Sequence, residues 1–133
     1  INDIESIEFF YNKTIYLIKK DNLYLGFIYI YYKPSLNAYG FNVYIHENTS
    51  PRLFKTIVEY SCPILCQYSY NQNNTEIYNF YFDVPNNKIA KWVKEFSQTL
   101  KIFNIYENYI ICFTTLKKEQ ILRIINSYEI ILC

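Results

Sequence analysis

TIYLIKKDNLYLGFIYIYYKPSLNAYGFNVYIHEN, residues Thr14 to Asn48, is the stretch whose reading decides the fold. Three apolar runs stand in it, Thr14–Ile18, Leu23–Tyr32 and Phe41–Ile45. β-Branched and aromatic residues crowd all three, and such side chains suit a half-buried pleated surface. The first break, Lys19-Lys20-Asp21-Asn22, is a polar hairpin turn. The second, Pro34–Gly40, is a longer connection in which Gly40 is expected to take a positive φ. The stretch therefore predicts an antiparallel meander that ends in a loop feeding a helix.

Working outward, Glu47-Asn48-Thr49-Ser50-Pro51 is a helix-start signal, with Ser50 as N-cap and Pro51 at the first helical position. Leu53, Ile57, Val58 and Cys62 repeat at helical spacing, and Pro63 is expected to end or kink that helix. Ile64–Tyr70 fits a continued helix or a short strand equally. Glu76–Val84, EIYNFYFDV, alternates as a strand and is broken by Pro85-Asn86-Asn87. Lys88–Leu100 presents Ile89, Val93, Phe96 and Leu100 on one face and lysines on the other, which predicts a helix. Tyr109–Thr115 reads as a strand, Lys117–Ser127 as a helix and Tyr128–Cys133 as a closing strand. Ahead of the meander, Ile1, Ile4, Ile7 and Phe10 follow a helix-like spacing. The sum is a mixed α+β domain over residues 1–133, with a mostly antiparallel mixed sheet of six to seven strands and three helices.

Composition narrows the function classes. Half of the 133 residues are hydrophobic, enough for a sizeable core in one domain. A net charge of +1 gives no general pull toward nucleic acid or an anionic membrane. No apolar run is long enough for a transmembrane helix. Ile, Asn, Lys, Tyr and Phe make up more than half of the chain, all with AT-rich codons, as in an AT-rich viral, phage, parasite or bacterial genome. The four cysteines, Cys62, Cys66, Cys112 and Cys133, are sparse for a disulfide scaffold and read as buried free thiols. A cytoplasmic location follows from that reading. A secreted chain with two disulfides is the alternative, and Asn12, Asn48 and Asn73 head N-x-Ser/Thr sequons that would suit it.

Few residues offer chemistry. His46 is the single histidine, so any nucleophile–histidine pair must use it. No nucleophile-elbow motif is present. Two glycines, Gly26 and Gly40, exclude a Walker loop and a dinucleotide fingerprint. One histidine and a Cys62-x-x-x-Cys66 spacing support no metal site. Aromatic strands without a basic stripe read as core rather than a base-stacking surface.

The order of elements resembles the GNAT acyltransferases. IYLIKKDNLYLGFIYIYY is similar to that family's second and third strands, with Leu25-Gly26-Phe27 as the apolar-Gly-apolar step. FNVYIHEN resembles its fourth strand, SPRLFKTIVEY the helix that follows, and FYFDVPNNKIAKWVKEF its fifth strand and Asn-x-x-Ala helix, with Asn87 and Ala90 at that spacing. Leu100–Phe103 and YIICFTT match the closing loop and last strand pair. The family's first strand and helices, which shape the acceptor pocket, have no counterpart ahead of Ile1.

The resemblance implies acetyl-coenzyme A in a cleft where the fourth and fifth strands part. The pantetheine arm would pair with the backbone of Asn42–Ile45, that is with Val43, Tyr44 and Ile45 and the Asn42 before them. The pyrophosphate would sit on the helix start, at Asn48, Ser50, Arg52 and Leu53, with Asn87 contacting the cofactor. His46 or Glu47 would take the acceptor's proton while a fourth-strand amide polarises the carbonyl. The family's phosphate loop is glycine-rich, whereas ENTSPRLF holds no glycine. Where the family often has a tyrosine acid, Lys94 stands. The competing reading is a non-enzymatic, viral or phage-type interaction module that binds a protein partner through an exposed aromatic strand edge.

Overall fold

The computed structural model describes residues 7–12, 15–96 and 101–127. In chain order the elements are β1 (Ile7–Asn12), β2 (Ile15–Lys20), β3 (Leu23–Lys33), β4 (Ala38–Ile45), α1 (Pro51–Gln72), β5 (Ile77–Val84), α2 (Asn87–Phe96), β6 (Lys101–Ile105), β7 (Ile110–Lys117) and α3 (Lys118–Ser127). The strands form one sheet in the order β1-β2-β3-β4-β5-β7-β6. All neighbours are antiparallel except β4 and β5, which run parallel across the α1 crossover. The expected mixed α+β class is what the chain adopts. The strand expected over Tyr128–Cys133 lies outside the described residues.

The meander forms as its residue pattern requires. Asp21 and Asn22 carry the β2–β3 hairpin, with φ of 52° and 66°. Both are left-handed, which a two-residue turn between twisted strands demands, and Asp and Asn tolerate that region. The β3–β4 connection uses Asn37 at φ 47° as its left-handed residue. Gly40, expected to play that part, is instead inside β4, where it serves a close approach. A Cβ there would fall 2.2 Å from the Tyr81 carbonyl oxygen and 2.6 Å from the Tyr31 ring. The tail of a helix expected before Thr14 is not found over Ile7–Asn12. That segment pairs with β2 from Ile7↔Lys20 to Asn12↔Ile15, and its Ile7 and Phe9 enter the core on one face. Period-two burial overrode a three-residue spacing that was too short to decide.

Pro63 neither ends nor breaks α1, which continues to Gln72. Pro63 removes one amide donor and costs about 3 kcal/mol in a helix interior. Against that stand Ile57, Val58, Ile64 and Leu65, each at most 1% exposed, and burial of each such side chain contributes about 1.5–3 kcal/mol. Ser61 and Ser69 are buried too, and each hydroxyl donates to the carbonyl one turn back, at 2.7 Å to Ile57 and 2.8 Å to Leu65. The ambiguous Ile64–Tyr70 is thus helix. Leu100–Phe103, matched together with YIICFTT to a closing loop and last strand pair, runs from Lys101 into the edge strand β6, which pairs with β7.

At its start α1 is capped as expected. Ser50 Oγ accepts the Leu53 N–H at 3.2 Å. Ser50→Ala is expected to lower stability by about 1 kcal/mol, with Ser50→Asp restoring it. Urea midpoints of the three chains measure this, and a midpoint unchanged in Ser50→Ala refutes it.

All described helices pack on one face of the sheet. The main core joins Ile18, Ile28, Phe80 and Phe82 of the strands to Ile57 of α1, Val93 of α2 and Ile121 of α3. The opposite face carries only a small cluster of Ala38, Tyr81 and Ile111 with Tyr31 and Phe113 beside it. No described helix covers that face, and none is long and apolar enough to cross a membrane.

Candidate acyl-coenzyme A cleft

Strands β4 and β5 pair through only two residue pairs, Ala38↔Asn79 and Tyr39↔Phe80. Beyond them β4 runs on to Ile45 and β5 to Val84 with no further ladder pair. The rings of Phe41 and Phe82 meet edge-to-face at 5.3 Å between the parting strands, on the helix side. Phe82 also stacks on Phe80 at 6.5 Å. The pair fills the helix side of the sheet where the strands part. Pro85 then ends β5, having no N–H to continue it. Asn86 caps α2, its Oδ1 accepting the Ile89 N–H at 3.0 Å.

The result is a cleft of about 210 Å³ lined by residues from both faces of the sheet. Phe41 to Tyr44 form one wall and Asp83 to Pro85 the other, with Phe54 and Val58 of α1 and Ile89 of α2 above. Strand alternation gives it two unlike ends. Phe41, Val43 and Val84 point to the helices and make an apolar end. Asn42, Tyr44 and Asp83 belong to the opposite face and make a polar end. Along the apolar wall the outer edge of β4 has no strand partner, so its backbone is open to an extended ligand.

The turn from β4 into α1 spends most of its own amides. His46 N–H donates to the Leu25 carbonyl at 2.8 Å, Thr49 N–H to the His46 carbonyl at 2.9 Å, and Asn48 N–H to His46 Nδ1 at 3.2 Å. Ser50 takes the Leu53 and Phe54 amides through its hydroxyl and carbonyl. Pro51 has none to offer. The Arg52 amide is left at the positive end of the helix dipole, beside an exposed guanidinium that joins neither described ion pair of α1, Lys55–Glu59 or Lys55–Glu95.

Of the residues the sequence put forward, Val43 and Tyr44 line the cleft. Ile45 lies just past it on β4. Asn48, Ser50, Arg52 and Leu53 occupy the turn and first helical turn beyond the mouth, outside the lining. His46 and Glu47 are exposed in the same turn, and His46 Nδ1 is engaged by Asn48. Asn87 is exposed as the first residue of α2 and borders a separate hollow of about 810 Å³ with Ala90, Lys91, Lys94 and Ile102. Sequence reasoning missed Phe54, Asp83 and Pro85, and named Asn42 for its backbone alone. The alternation of EIYNFYFDV puts Asp83 on the face opposite Phe82. Which strand it faces is knowable only from the parallel register with β4.

On the helix-free face, Tyr31 lies across Gly40, its hydroxyl donating to the Tyr81 carbonyl at 3.4 Å. Its ring meets that of Tyr81 edge-on at 6.4 Å. Burial, followed by the Asp83 carboxylate, pushes the Tyr31 phenol well above the usual tyrosine range, so it stays a donor.

An open strand edge, a slot between two parting strands and one cationic helix start suit a long arm with an anionic end. Comparison with known proteins agrees at the level of fold. No protein-family model matches the sequence, and no curated protein matches it. Among solved structures, the spermidine N-acetyltransferase from Vibrio cholerae in complex with CoA and spermine superposes with a TM-score of 0.56 at 12% identity, covering 81% of this chain and 67% of that one. The GNAT-family acetyltransferase from Bacillus anthracis gives 0.52 at 9% identity, over 80% and 67%. The Campylobacter jejuni N-acetyltransferase PseH in complex with acetyl coenzyme A gives 0.50 at 14%, over 80% and 70%. Identities this low carry the architecture and no more, and the architecture of this chain is that of the GNAT N-acetyltransferases.

Proposed function

We propose that this chain is a divergent GNAT-like acyltransferase that takes acetyl-coenzyme A in the cleft between β4 and β5. The observation that carries the reading is the divergence of β4 from β5 after Tyr39↔Phe80, which leaves one strand edge unpaired inside a slot. Acetyl-coenzyme A would supply a thioester carbonyl open to attack by an acceptor nucleophile. Backbone groups of Asn42 to Ile45 would hold the extended arm and orient it along β4. Phe41, Phe54 and Val58 would exclude water from its apolar stretch. The amide and guanidinium of Arg52 would receive the anionic end at the α1 N-terminus. Asn48, Ser50 and Leu53 would shape that turn, and Asn87 would offer its side-chain amide from the start of α2. His46 Nε2 or the Glu47 carboxylate, both solvent-exposed, would accept the acceptor's proton through water.

Thermal unfolding with acetyl-coenzyme A tests the reading. A ligand at 100 times its Kd stabilises by about 2.7 kcal/mol, which is on the order of 10 °C for a domain of this size. No rise at millimolar ligand overturns it.

The thin phosphate site favours one alternative outcome. With Pro51 in place of a donor and no glycine near it, a relative that binds the cofactor without turning it over, or an interaction module that binds neither, is the second reading. A thermal rise without release of free thiol from acetyl-coenzyme A identifies the first of these.

A further inference from the structure

The polar end of the cleft lies on the face of the sheet that no described α-helix covers, and it is lined by side chains the cofactor reading leaves unused. Register places them. Ala38 lies level with Asn79, so continuing the parallel count sets Gly40 level with Tyr81 and Asn42 level with Asp83, across the gap. Antiparallel pairing with β3 sets Phe27 beside Tyr44, Tyr29 beside Asn42 and Tyr31 beside Gly40. Asp83 is therefore an exposed carboxylate at the mouth of the slot, facing a strip of aromatic rings.

The strip is ordered and in part open. Phe27 stacks on Tyr44 at 4.8 Å, and Tyr29 on Tyr31 at 6.4 Å. Tyr29 is 40% exposed although it sits mid-strand, and Tyr44, near the end of β4, is 50% exposed. The face already takes one cation: Lys33 Nζ lies 4.4 Å from the centroid of the Tyr81 ring. Lys33 pairs with Ala38 at the closed end of the gap, and its ammonium is spent on the Tyr81 ring. Among the described residues, no Lys or Arg forms an ion pair with Asp83.

We infer that the acceptor enters from this helix-free face as a cationic primary amine on an apolar or aromatic arm, and that Asp83 is the residue that selects it. The inference rests on the cofactor reading for its reaction, not for its binding site. Asp83 would hold the ammonium by a charge-assisted hydrogen bond, with Asn42 across the gap and the rings of Phe27, Tyr29 and Tyr44 against the arm. An acidic or phosphorylated acceptor would meet an unscreened carboxylate and be rejected. The transfer balances without any further reactant. The ammonium gives one proton to water, and its nitrogen forms a bond to the acyl carbon. The carbon–sulfur bond breaks, and the thiolate leaves with the second proton lost by nitrogen. Asp83 is a specificity residue in this scheme and changes charge in none of its steps.

Phenethylamine is the probe and phenylacetate its anionic counterpart. Saturation-transfer NMR on the cofactor-free chain reads binding of each to the unaltered protein and to Asp83→Asn. Calorimetry reads acetyl-coenzyme A affinity for both. Asp83 is exposed, so the variant is expected to keep its unfolding midpoint. The expected result is a loss of at least about tenfold in phenethylamine affinity in Asp83→Asn, with no phenylacetate binding to the unaltered protein. Equal phenethylamine affinity in both chains, or phenylacetate bound as tightly, overturns the inference. If the unaltered chain binds acetyl-coenzyme A but not phenethylamine, the inference falls alone. If it binds phenethylamine through Asp83 but no acetyl-coenzyme A, the amine site stands and the transferase reading falls.

Discussion

Phe82→Ala is expected to destabilise the chain by about 3–5 kcal/mol and to close the gap between β4 and β5. Phe82 has no exposed surface, touches Phe80 and Phe41, and sits where the parallel pairing stops. Two costs add there. Apolar area leaves the core, and a cavity remains whose walls are a buried sheet on one side and α1 on the other. The backbone has one easy way to fill it, which is for β4 and β5 to pair further along. That would remove the slot. Phe82→Leu is expected to cost less, because it conserves most of the volume. Urea unfolding gives the stability and calorimetry the acetyl-coenzyme A affinity. A loss below about 1 kcal/mol in Phe82→Ala, with ligand affinity intact, would show that the ring neither supports the core nor holds the strands apart. Total stabilities of small domains are about 5–15 kcal/mol, so Phe82→Leu is the variant in which binding is measured if the alanine chain unfolds.

Alkaline pH is expected to have an effect of similar size. Cys62 and Cys66 lie one turn apart on α1, both free and both buried. Burial pushes both thiols up, that of Cys62 well above its ordinary value of 9.0, and the neighbouring Cys66 and Glu59 push it further. Both folded values thus exceed the unfolded one. Their contribution is fully present below pH 9, where both states hold the protons, and is lost as the unfolded chain ionises above it. Each thiol then removes about 1.4 kcal/mol per pH unit. By about pH 10.5 the two together would cost on the order of 4 kcal/mol. Tyr31, raised by burial and by Asp83, adds to the fall above pH 10. Urea midpoints at pH 7.5 and 10.5 measure it. Equal midpoints would mean that the thiols reach solvent in the folded chain.

Much of this fold can be read from local pattern. The three runs of Thr14–Asn48 became β2, β3 and β4 because alternation and turn chemistry agree there. Ser50-Pro51 marks the α1 start, since a cap is a contact within four residues. Reading failed where a local rule met a distant partner. Pro63 is a helix breaker by its own chemistry, yet the buried flank of α1 on both sides of it holds the helix together. Ile7–Asn12 looks helical by spacing until β2 supplies its ladder. Gly40 looks like a turn glycine, whereas its bare Cα is needed by the Tyr31 ring and the Tyr81 carbonyl.

The candidate site divides in the same way. Val43 and Tyr44 could be named from the chain because they follow from the likeness of one strand to another. Asp83 and Phe54 could not, for they join the site only across the gap between parallel strands joined by a 22-residue helix. Residue order thus settled which segments extend, which coil and where each turns, since those preferences act over a few residues. Where β4 leaves β5, and which side chains then face the opening, was settled by tertiary packing: the parallel pairing stops after Tyr39↔Phe80, and residues that meet beyond it, such as Phe41 and Phe82, are far apart in the chain.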